Sequence, residues 1–203
     1  MPSNIADELY QAVLGGLVDA QEGVGFDYVH PDEKLDYPMA RGLVAAAESR
    51  YKRSPSSVIR AERNATWLCE HADRDDDGVI GWGLPFEWNT NIQGVTYSAH
   101  QETTITTAIC IDGLLTAYEH LDEHSEYLNT AVAAAETFID CECYSEYDDE
   151  LCFWYTAAGE APSDTINSHA YLVGQLQRLT SYSIGTSRKR LFSDVADRGV
   201  RYL

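Results

Sequence analysis

Lysine is scarce in this chain: Lys34, Lys52 and Lys189 are the only three in 203 residues, and the other basic residues are arginines. With 14 basic against 33 acidic side chains, the formal net charge is −19. A basic face that could hold nucleic-acid phosphates is therefore not expected. No run of about 18 apolar residues occurs, so no membrane-spanning helix is expected either. The first residues, Met1-Pro2-Ser3-Asn4-Ile5-Ala6-Asp7-Glu8, lack the basic start and apolar stretch of a signal peptide, which points to a cytoplasmic product. A Gly-rich phosphate loop, a dinucleotide fingerprint, a nucleophile elbow and a His-Glu-x-x-His zinc motif are all missing. Those gaps argue against nucleotide hydrolysis and Rossmann redox chemistry. Long alternating runs of β-branched residues are missing too, so the pattern demands no sheet.

The acid excess is spread along the chain rather than gathered in a tail. Carboxylates hold water well, and molar salt shrinks the range of their repulsion to a Debye length of about 3 Å. The pattern reads as halophilic adaptation, the alternative being an acidic partner-binding surface. Five cysteines is an odd number, and Cys69, Cys110 and Cys141 fall within or at the ends of predicted helices. That favours reduced, buried thiols. Cys141-Glu142-Cys143 with Cys152 does not have the usual zinc spacing.

Apolar residues at helical spacing predict seven helices in one domain of 203 residues. They cover 5–22, 38–53, 55–71 (with Ser54 as N-cap and Pro55 in the first turn), 103–121, 125–141, 164–182 and 189–203. Loops fill 72–99 and 142–163. Aromatic loops recur: Phe26 and Tyr28, then Trp82, Phe86 and Trp88, then Phe153, Trp154 and Tyr155. Each leads into a helix whose early face is rich in small residues, which lets helices approach closely. The expected fold class is all-α, built of antiparallel helical hairpins with the aromatic loops on one side.

Two stretches carry a resemblance. Gly83-Leu84-Pro85-Phe86-Glu87-Trp88 is followed by His100-Gln101-Glu102-Thr103-Thr104 and the helix to Ala117-Tyr118-Glu119. Phe153-Trp154-Tyr155 is followed by Asn167-Ser168-His169-Ala170-Tyr171-Leu172. Over residues 60 to 185 the chain resembles the α/α toroid, six-hairpin glycosidase-like superfamily, and within it proteins encoded near polysaccharide-synthesis genes. The resemblance implies part or half of an α/α toroid. It further implies a role in polysaccharide or glycan metabolism, as a glycoside hydrolase or an epimerase/lyase-like enzyme. A non-catalytic glycan-binding protein or a structural helical array is the alternative. A full ring of six hairpins needs more than the seven helices expected here. The chain would then be a fragment, a half-toroid, or one completed by a second copy or another partner chain.

Within that frame Glu87 and Glu102 are the candidate catalytic carboxylates. Glu87 sits among aromatic rings, where desolvation would suit a general acid. Glu102 precedes a helix, whose N-terminal dipole would keep it ionised. Such a pair is what glycoside hydrolysis requires when its separation is right. Trp82, Trp88 and Trp154 are candidate stacking platforms for an oligosaccharide or polysaccharide, and His100 and His169 candidate substrate contacts. Closing the end of a helical core is the plainer reading of the same rings. Asp73-Arg74-Asp75-Asp76-Asp77-Gly78 has the start of a calcium-loop spacing, so Asp73, Asp75 and Asp77 are candidate Ca2+ ligands. Its twelfth position is Leu84 rather than a bidentate Glu, so the loop is not a complete EF-hand. No cofactor is otherwise required.

Overall fold

The computed structural model describes residues 5–16, 24–26, 29–51, 54–72, 79–90, 95–122, 124–157 and 165–203. Seven helices lie among them: α1 (Ile5–Gly16), α2 (Pro38–Tyr51), α3 (Pro55–Glu70), α4 (Thr104–His120), α5 (Ser125–Asp140), α6 (Ile166–Leu179) and α7 (Thr186–Tyr202). The caps explain several boundaries. Ser54 accepts from the Ser57 backbone while Ser57 reaches back to Ser54, a capping box that starts α3 at Pro55. The last helix begins at Thr186, earlier than its apolar spacing implies, because Gly185 turns into it at φ 90.

The protein is mainly helical, but the described residues also form three small antiparallel pairs. These are β1 (Val24–Gly25) with β2 (Leu35–Asp36), β3 (Trp88–Asn89) with β4 (Thr96–Tyr97), and β5 (Tyr144–Tyr147) with β6 (Glu150–Phe153). The last pair falls in a stretch expected to be loop. Its turn is Asp148-Asp149, with Asp148 at φ 51, a conformation Asp tolerates. Leu151, Cys152 and Phe153 are all buried, and β6 packs on α7. Tertiary burial rather than alternation holds this hairpin together.

Helix α4 is the centre of the molecule. Twelve of its seventeen residues are buried, which is how a helix apolar on every side must sit. It packs on α2 along one flank and α6 along the other, while α3, α5 and α7 fold back on α2, α4 and α6. Late residues meet late residues: Arg50 of α2 and Arg178 of α6 both reach Asp112 and Thr116 of α4, and Arg178 also reaches Glu119. The helices α2, α4 and α6 therefore run in the same direction, and their starts lie at one end. Where α2 crosses α4, Gly42 and Gly113 let the backbones touch. A Cβ on Gly113 would stand 2.6 Å from the Gly42 carbonyl oxygen.

Helix α1 is held differently. The Tyr10 hydroxyl donates to both oxygens of buried Glu48 at 2.7 and 2.9 Å, and Arg60 Nε donates to Glu48 at 2.8 Å. Tyr10 also stacks on Tyr51 with ring centres 4.1 Å apart.

Candidate functional site

The chain between α3 and α4 returns along the start of α4 and is pinned there at close spacing. Leu84 accepts from the His100 backbone at 2.7 Å, and Trp82 accepts from the Thr103 backbone at 3.1 Å. A Cβ on Gly83 would stand 1.9 Å from the Gln101 carbonyl, so only glycine permits this approach. The segment after β6 lies against the same place. The Thr104 backbone donates to Tyr155 O at 2.8 Å, Ala157 to Glu102 O at 3.2 Å, and Thr103 bridges Thr156.

These two anchorings bring rings from distant parts of the chain together. Trp88 and Tyr97 are paired across β3 and β4 with centres 5.7 Å apart. Tyr155 lies 6.2 Å from Trp88 and 5.2 Å from Tyr97. All three are half-buried. Burial pushes both phenols above their ordinary range, and for Tyr155 the neighbouring Tyr97 adds to it. Close by, Phe86 meets His30 at 4.4 Å and Tyr37 at 6.4 Å, which ties the loop before α2 to the same end.

The structure sorts the expected site residues into two groups. Trp88 belongs to the ring cluster, and His100 sits half-buried in the adjoining turn with a left-handed φ of 67. Trp82 does not serve as a platform. It is 1% exposed, with its indole N–H donating to Leu68 O at 3.2 Å, and it fills the core beneath the loop. His169 is likewise interior. Its Nδ1 accepts from the Phe153 backbone at 3.1 Å, so its proton is on Nε2, which donates to Gly199 O at 3.0 Å. The imidazole is fully buried and bolts β6, α6 and α7 together. Trp154 is half-buried against the core, and its indole N–H donates to Ser145 of β5 at 2.9 Å, away from the ring cluster.

The two carboxylates exchange the environments expected of them. Glu87 is exposed, while Glu102 is 1% exposed and packs on the turn at Gly81. The group withdrawn from water is thus Glu102. Asp73, Asp75 and Asp77 lie outside the described residues. Among the described residues no three His, Cys, Asp or Glu side chains gather as metal ligands, and no helix is long and apolar enough to cross a membrane.

Sequence reasoning passed over Tyr97 as a site residue. A signal existed in the short aromatic segments on either side of 91–94, Trp88-Asn89-Thr90 and Val95-Thr96-Tyr97, which read as a hairpin once paired. The fold thus defines a mainly helical protein with an aromatic cluster at the starts of its central helices. No protein-family model matches the chain, and no curated protein does.

Proposed function

We propose that the chain is a carbohydrate-active protein of polysaccharide or glycan metabolism, and that a saccharide lies against Trp88, Tyr97 and Tyr155. One observation carries this reading: three half-buried rings from two separate loops converge within 5.2 to 6.2 Å. The apolar face of a pyranose packs well on such a surface, and half-buried Tyr and Trp keep polar edges for its hydroxyls. The same reading makes the helix layers part or half of an α/α toroid. It is supported by three helices running one way, α2, α4 and α6, each with a helix folded back on it. A second copy, or another chain, would complete the ring. The acid content fits a salt-adapted cytoplasm.

The test is a panel of neutral and uronic-acid oligosaccharides added in molar KCl, with tryptophan fluorescence as readout. A saturable change that Trp88→Ala abolishes is expected; silence across the panel in a protein with intact helical circular dichroism sinks the reading. Turnover is then assayed by mass spectrometry of the saccharides, with Glu87→Gln and Glu102→Gln as variants. A non-catalytic glycan-binding role is the second reading, favoured by the burial of Glu102 and the exposure of Glu87. Affinity retained by both variants, with no product from the parent protein, selects it.

A further inference from the structure

Helix α5 ends in a turn that sets two cysteines side by side. The Glu142 backbone donates to Ile139 O at 3.1 Å and the Cys143 backbone to Phe138 O at 3.3 Å. This is the Schellman arrangement, in which the residue after the C-cap takes a left-handed conformation. Glu142 fills that place at φ 51, with Cys141 as the C-cap before it and Cys143 after it. Residues two apart reach at most about 7 Å between Cα atoms in a straight chain. The turn brings Cys141 and Cys143 nearer than that, into the span of about 4.4–6.8 Å that a disulfide bridges.

The sulfurs are close as well as the backbones. Cys143 Sγ lies 3.5 Å from Cys141 O and hydrogen-bonds the Cys141 thiol. The two differ in access. Cys143 is 2% exposed, Cys110 and Cys152 are buried and Cys69 is half-buried, whereas Cys141 is exposed. A reagent in solution therefore meets Cys141 first. Burial pushes the Cys143 thiol up to about 12, and the Cys141 thiol beside it adds to the rise. Cys143 also has a task in the fold. Its Sγ donates to Ala157 O at 2.6 Å, and its carbonyl accepts from the Trp154 backbone at 2.9 Å. The buried thiol thus holds both ends of the segment that carries Tyr155 and meets Glu102 through Ala157.

We propose that Cys141 and Cys143 are a reversible thiol–disulfide modification site, closing on each other across Glu142 when a small-molecule disulfide is present and releasing Ala157. The exposed Cys141 thiolate attacks one sulfur of the small disulfide. A mixed disulfide forms, and the first small thiolate leaves with the electron pair and takes up a proton. Cys143 then gives up its proton to solvent and attacks Cys141 Sγ, expelling the second small thiol. Two protein thiols are oxidised and one small disulfide is reduced to two thiols. The neighbouring position of Cys143 makes this second step intramolecular, which offsets the scarcity of its thiolate. Once bonded to Cys141, Cys143 Sγ has no proton to donate to Ala157 O, and the Tyr155 segment loses one of its anchors. The thiol pair stands independently of the saccharide reading.

The test incubates the folded protein with glutathione disulfide, blocks the remaining thiols after unfolding, and maps the peptides by mass spectrometry without reduction. The parent protein should lose two hydrogens through a Cys141–Cys143 link, with Cys69, Cys110 and Cys152 blocked as free thiols, and reduced glutathione in excess should reverse it. Cys143→Ser lacks the resolving thiol and should stop at a lasting mixed disulfide on Cys141. Cys141→Ser, a change at an exposed position, should leave Cys143 reduced, which keeps the test decisive if Cys143→Ser does not fold by circular dichroism. Hydrogen exchange followed by NMR reads the release: the Ala157 amide should exchange about two- to tenfold faster in the oxidised protein, the effect of losing about one hydrogen bond. A mixed disulfide that persists on Cys141 of the parent protein, a link to another cysteine, or no reaction overturns the site. Closure with Ala157 exchange unchanged overturns the release.

Discussion

Trp82 and Trp88 share a loop and do opposite work. The first is walled in by Leu68 and the start of α4, and its N–H is satisfied there; the second shares a ring cluster at the surface. Trp82→Ala is expected to cost about 3–5 kcal/mol in denaturant unfolding, the usual toll of emptying a core site of this size. Trp88→Ala should leave stability nearly unchanged while removing the saccharide response, and the opposite pattern would exchange the two assignments. Tyr10 gives a pH prediction. Burial first, and its bond to Glu48 second, raise the phenol from 10.0 to about 12. A raised folded value favours the protonated form, so its contribution is whole below pH 10 and is lost as pH climbs through about 12. Alkaline titration followed by helical circular dichroism should show a loss in that window, and Tyr10→Phe should shrink the step without removing it, because burial also raises Cys143 to about 12. At this scale the sequence made the aromatic residues legible as candidates. It could not say which would be interior, because the groups that enclose Trp82 and His169 come from Leu68, Thr107 and Gly199, far away along the chain.

At the scale of elements, two glycines within helices separate packing from propensity. Gly113 of α4 abuts Gly42 of α2, so Gly113→Ala drives a methyl into backbone and should destabilise by about 1–3 kcal/mol. Gly174 of α6 has open space, so Gly174→Ala should stabilise by about 0.5–1 kcal/mol through the helix backbone alone. Chemical denaturation of the two variants side by side checks both signs, and equal effects would mean that α2 and α4 do not cross at these residues. The helices themselves were readable because caps and apolar spacing are local. Ser54-Pro55 marks its start in four letters of sequence, Ser54 to Ser57. The β5–β6 hairpin was not readable, since Tyr-Ser-Glu-Tyr has no apolar alternation and its partner strand is buried by α7.

For the whole molecule, charge is the dominant fact. A net −19 on a chain of 203 residues repels itself, and the compact state bears most of that repulsion. Raising KCl from about 0.1 M to about 1 M shortens the Debye length from about 10 Å to about 3 Å. The melting temperature should therefore climb over that range, and a fall would show that local ion pairs such as Arg178–Asp112 outweigh the global term. Composition and spacing by themselves determined the charge, the helical class and the positions of the aromatic loops, because each follows from residue type and near neighbours. Only the tertiary structure decided that Glu102, Trp82 and His169 turn inward and that Trp88, Tyr97 and Tyr155 meet. Burial and ring contact depend on which distant segments pack against a residue, and no local pattern carries that information.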